Sequence, residues 1–281
     1  MPAPQATMLK QLVRAKFTSF AIKVPSDWKQ PQGEGAQQYN GAFKDNELTT
    51  EPDAPLFLPQ TFNHYHTDAQ RKHNKDYGAF MDAISEAICF AWAQWQQTAT
   101  LVGVVINAMT ASVGQVVGPP WSPLIMAKAQ EKLAPLKPNM MKYINAVATP
   151  LDTAWMLYTS SIKVPGLPWY PAFNMVPSPV APPTPNTPAP LAALTQVPAP
   201  LAPALLAKQM FAALGDPQAP YAQKMFEAIA DGFDKVFQIW SKSTMIQNVI
   251  GTGAVPSFAP PVSPAGPVVM GVGTMPPGGF V

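Results

Sequence analysis

The chain is short of charge and nearly without cysteine. Asp, Glu, Lys and Arg make up 12% of its 281 residues, about half the share usual for a soluble globular protein. Surface charge keeps proteins apart in water, so a chain this poor in it is expected to turn much of its surface toward something other than solvent. The net charge of +2 is small, and the aromatics are little interleaved with Lys and Arg. Direct binding of DNA or RNA is therefore disfavoured. The single cysteine, Cys89, excludes an internal disulfide. On an apolar helical stretch it reads as a small hydrophobe rather than a nucleophile.

Signatures of chemistry are missing as well. Gly251-Thr-Gly253 and Gly271-Val-Gly273 are not followed by Lys-Ser/Thr and do not join a strand to a helix, so neither is a phosphate-cradling loop. There is no Gly-x-Ser-x-Gly elbow and no His-Glu-x-x-His. The acid pairs Glu47 with Glu51 and Asp231 with Asp234 lie in polar runs, as solvated faces do. No enzyme and no cofactor is expected. The three histidines do fall together, in Asn63-His64-Tyr65-His66-Thr67-Asp68 and at His73. On an extended segment His64 and His66 would share a face, with Asp68 and His73 in reach, which would suit a divalent metal and a metal-dependent enzyme. The charge-rich helix start that follows, with Arg71, Lys72 and Lys75, favours solvated or hydrogen-bonded histidines instead. Near the N-terminus Lys10, Arg14 and Lys16 precede no apolar core of signal-peptide length. The segment reads as mature sequence, and an assembled particle or the cytoplasm is the expected location.

What is present is organised around residues 87–127, which carry no charge and hold Trp92, Trp95 and Trp121. Ile84, Ala87, Ile88, Ala91, Trp92, Trp95 and Ala99 repeat at helical spacing. Leu101 to Val117 is Val, Gly and small polar residues. Met8, Leu9, Leu12, Val13, Phe17 and Phe20 form an amphipathic stripe near the N-terminus, and Met225, Phe226, Ile229, Phe233, Val236, Phe237 and Trp240 form a clearer one later. Trp95, Trp155 and Trp240 can be placed in register: Ile84, Ile144 and Ile229 precede them at equal distance, hydroxyl residues follow, and then Val-Pro or Val-Gly-Pro with an aromatic. The unequal intervals exclude a solenoid but leave room for loose duplication.

The expected fold is mainly α, with amphipathic helices around 8–22, 68–117, 124–161, 203–214 and 219–250 connected by long proline-rich irregular segments. Pro150 is expected to kink or restart its helix, and Asn139 to cap it. Five regions follow: an N-terminal amphipathic segment and irregular arm (1–62), a helical region with two Trp-centred units (63–163), a proline-rich extended linker (164–203), a third helical unit (204–250) and an apolar Pro/Gly-rich C-terminal arm (251–281). The linker is dense in the chain's 35 prolines and reads as polyproline II rather than core. After Lys242 no charge recurs, so the C-terminal arm is expected to become ordered by lying along helices of its own chain or along a neighbour.

These features point to a non-enzymatic structural subunit of a large complex, with other subunits or copies of itself as partners and Trp121, Trp169, Phe258, Met270, Met275 and Phe280 as partner-binding residues. In composition the chain is similar to accessory structural proteins of virions and contractile injection machines, an analogy that rests on no motif. The alternative is a membrane-associated protein using segment 87–127, within which Ala99 to Gly118 has the length of a spanning helix. Thr100, Asn107, Thr110, Ser112 and Gln115 load that stretch with polar groups, and no Lys/Arg cluster flanks it, which disfavours insertion.

Overall fold

Helices form where an apolar stripe alternates with charge, and strands form where the charge runs out. A computed structural model describes residues 3–24, 55–58, 64–137, 139–195 and 199–281, and for residues 64–67 and 199 the backbone alone. Helix α1 (Ala6–Thr18) buries Leu9, Val13 and Phe17. It packs on α2 (His64–Thr98) and on α6 (Ala222–Ser243). The approach to α6 requires Gly232, since a Cβ there would lie 2.7 Å from Val13 Cγ2. Arg14 donates to both carboxylate oxygens of Asp82, at 2.8 and 2.7 Å, which fixes the rotation of α1 on α2. All seven residues of the later stripe are buried on α6.

Helices α3 (Ser122–Leu133), α4 (Met140–Ser161) and α5 (Pro203–Leu214) complete the helical half, with α3 on α2, and α5 between α4 and α6. The α4 helix runs through Pro150 as one element, without the restart that its proline suggests. Asn139 stands at its N-cap position with φ 65°, but its side chain makes no capping bond. Most of the expected irregular stretch near the N-terminus, 25–54 and 59–62, lies outside the described residues. Phe57 and Leu58 are described: Phe57 is buried, and Leu58 forms a parallel bridge with Lys23.

The mainly α expectation is overturned. Among the described residues, six α-helices are joined by a six-stranded antiparallel sheet and a two-stranded one. The helix expected to continue to 117 stops at Thr98, and the chain turns back on itself as a hairpin, β1 (Thr100–Asn107) with β2 (Thr110–Val117). Val102, Val104, Val105, Val113, Val116 and Val117 are β-branched and favour a pleated strand over a helix. Gly103 and Gly114 take φ of 69° and 74°, which no helix interior uses. The segment once long enough to span a bilayer as a helix is thus two strands. Among the described residues no helix is long and apolar enough to cross a membrane.

The rest of the sheet comes from the proline-rich and C-terminal segments. β3 (Val164–Leu167) pairs with β2, and β4 (Val180–Pro185) pairs with β7 (Ile250–Ala254). β8 (Val269–Met275) lies between β1 and β7. The order is β3-β2-β1-β8-β7-β4. A short second sheet pairs β5 (Ala189–Pro190) with β6 (Met245–Ile246). Residues 164–195 therefore do more than connect: Trp169, Tyr170, Phe173 and Val176 are buried in the same cluster as the helix stripes.

Candidate functional site

The three tryptophans that align in sequence meet in space. Each sits near the C-terminal end of a helix that runs on toward a strand: Trp95 before β1, Trp155 before β3 and Trp240 before β6. Ring centroids are 4.9 Å apart for Trp95 and Trp155, and 5.7 Å for Trp155 and Trp240. Trp92 and Trp121 join them, with Trp121 stacked on Trp155 at 4.2 Å. The shared register of the sequence therefore reflects a shared place at one end of the helical bundle. Asp152 accepts the Trp121 backbone N–H at 2.7 Å, placing a carboxylate at the start of α3, where the helix dipole favours it.

Gln96 ties this cluster to the C-terminus. Its buried amide accepts from Trp240 Nε1 at 2.9 Å and donates to the Phe280 carbonyl at 3.1 Å. Phe280 packs its ring 5.3 Å from that of Trp95, while Met245 and Val281 exchange backbone bonds of 2.7 and 3.0 Å. The C-terminal arm is thus ordered along its own chain. Of the residues expected to bind a partner, Trp121, Trp169, Met275 and Phe280 are buried in this chain's interior, Phe258 is half-buried and Met270 is 70% exposed.

The two Gly-x-Gly pairs have a packing role. Gly251 pairs with Gly273 across β7 and β8, and the Tyr170 ring lies over them: a Cβ on Gly251 would come within 2.7 Å of Tyr170 Cε1, and one on Gly273 within 3.1 Å of its hydroxyl. An aromatic ring covering strand glycines restores the buried surface they lack. Tyr170 then donates to the Val249 carbonyl at 2.8 Å.

The histidines are not brought together as an extended segment would bring them. Residues 64–73 are helical, and at 3.6 residues per turn positions 64 and 66 stand about 200° apart around the axis. The side chains of His64 and His66 lie outside the described residues. Asp68 pairs with Arg71 at 3.3 Å. His73 Nδ1 lies 3.1 Å from the Ala69 carbonyl, and its ring packs against Phe57, Tyr77 and Tyr221. Cys89 is buried, and burial pushes its thiol up to about 12, the opposite of an activated nucleophile.

The surface that stands apart is the outer face of the large sheet. Its inner face carries Leu101, Val104, Ile106, Ala111, Val116 and Met275, all buried. The outer face exposes Val102, Val113, Val117, Val180, Ile250 and Val272, at 37, 54, 48, 55, 37 and 59%. Ser112, Val105, Val272 and Thr252 stand opposite one another across β2, β1, β8 and β7. None of the six strands contains Asp, Glu, Lys or Arg. Water gains nothing from such a face, and its burial would release roughly 25 cal/mol per Å² of apolar area. Sequence reasoning singled out the charge-free stretches that supply it but not their union, which needs pairing between segments far apart in the chain. No family model, curated protein or solved structure matches this chain.

Proposed function

We propose that the protein is a non-enzymatic structural subunit of a larger assembly, of the kind found in virions and contractile injection machines, and that it joins its neighbours through the outer face of the six-stranded sheet. The observation that carries this reading is the exposure of a valine-rich, charge-free face across six strands. Monomers rarely leave contiguous apolar patches of more than a few hundred Å² in water, and larger ones mark interaction sites. The helical half supports the same reading from the other side, because among the described residues most of the charges that would keep the chain soluble lie there. Glu86 bridges Lys10 and Lys132, and Asp231 bridges Lys16 and Lys235.

The test is sedimentation of a tagged copy produced in the native source. A chain of 30.2 kDa that fractionates with particles many times heavier supports the assembly role, and a chain that sediments in that extract no faster than a dimer of itself overturns it.

A further inference from the structure

Building on the assembly reading, we propose that the occupant of the outer sheet face is a second copy of this chain, packed sheet on sheet about a two-fold axis. In such a contact each residue near the axis meets its own image, so a charged face would repel its copy. The six strands bring no charge of their own to this contact: the residues that would meet are Val105 and Val272 with their hydroxyl neighbours Ser112 and Thr252. Val113 is exposed beside them, and the ammonium of Lys163, at the margin next to β3, is held by the Gly114 carbonyl at 3.3 Å. A partner of different chemistry is ordinarily selected by complementary charge, which these strands do not offer.

The sheet edges argue for closure by this face. β3 and β4 are the edge strands, and Pro165 interrupts the first while Pro182, Pro183 and Pro185 interrupt the second. Proline has no N–H to offer an incoming strand, so edge-to-edge growth is blocked on both sides. The area is adequate too. Six strands about 4.8 Å apart and mostly about 15 to 25 Å long present on the order of 600 Å² of flat surface. A specific dimer buries roughly 800 Å² of accessible surface per partner, which a ridged face of that footprint supplies. Two such sheets would pack about 10 Å apart with strands crossing at about 30°.

Sedimentation velocity on the purified full-length chain tests this. The wild type should run at twice its 30.2 kDa. Val113→Lys with Val272→Lys should weaken the dimer by about 100-fold or more, because two ammonium groups would have to be desolvated without partners. Near-ultraviolet circular dichroism should stay unchanged, since both positions are more than half exposed. Val262→Lys, at a position 90% exposed in the loop before β8, should leave the dimer intact. A wild type that is monomeric at every concentration overturns the assignment, whether the face is covered by another protein or by residues 25–54 of the same chain. A dimer that survives both lysines with its fold intact overturns it as well. A pure monomer that still joins a large particle in the native source refutes the second copy and leaves the assembly role standing. A pure dimer that joins no particle does the reverse.

Discussion

At the scale of single residues, the tryptophan cluster is where stability is most concentrated. Trp155 touches Trp92, Trp95, Trp121, Trp240, Tyr158 and Phe237, so truncation leaves a cavity bounded by rigid rings. Trp155→Ala should cost about 3 to 5 kcal/mol in urea unfolding. Buried acids predict a response to alkali. Burial raises Cys89 from its ordinary 9.0 to about 12 and raises Tyr158 and Tyr170 above 10.0. A group that ionises less readily when folded leaves the folded chain holding more protons than the unfolded one. Its contribution is complete below the unfolded value and is lost as pH climbs from about 9 to beyond 12. Stability should therefore be flat with respect to these groups through neutral pH and fall on the alkaline side. Phenolate absorbance of the buried tyrosines should rise together with unfolding and not before it. A smooth titration of all seven tyrosines in the folded chain would contradict that burial.

At the scale of elements, the C-terminal arm carries more than its sequence suggests. Read as an apolar strap on finished helices, residues 251–281 should be removable without loss of helical content. In the fold, β8 is a central strand with β1 on one side and β7 on the other, and Phe280 closes the tryptophan cluster. A chain ending at Pro267 should therefore lose its cooperative thermal transition and its near-ultraviolet dichroism. Full retention of both would mean that the helical half folds without the sheet. Gly251→Ala tests the fit of β7 more gently. Its Cβ would fall 2.7 Å from Ile106 Cδ1 and from Tyr170, and overpacking of this kind costs about 1 to 3 kcal/mol, readable from the shift in thermal midpoint.

At the scale of the molecule, charge and apolar surface are segregated among the described residues: the ion pairs lie on the helices and their connections, and the strands of the sheet carry none. Association through the sheet should then be indifferent to salt or strengthened by it, because screening acts on charges while excluded salts such as sulfate favour apolar burial. Dissociation of the dimer on raising sodium chloride from low to molar concentration would point to the charged helical half as the interface instead.

How much of this was legible in the sequence depends on how local each cause is. The stripes Leu9-Val13-Phe17 and Met225 to Trp240 are set by the helical repeat, and 203–214 is bounded by its own Pro and Gly, so these helices could be read directly. The equal placing of Trp95, Trp155 and Trp240 was also visible, although only the fold shows that the three rings meet. Leu101 to Val117 was misread because an apolar run without charge fits a buried helix and a strand alike by period. Its valines favour the strand and the positive φ of its two glycines excludes a continuous helix, but the decision comes from β8, more than 150 residues away, pairing with β1. The proline-rich stretch was misread for the same reason, since its side chains have no local partner and find one only in the sheet edge and the shared core. The sequence by itself determined where charge and proline are absent or crowded, because composition is a property of the chain alone. Only tertiary structure decided that the charge-free pieces lie side by side as one exposed face, because strand pairing is a bond between segments that no local pattern records.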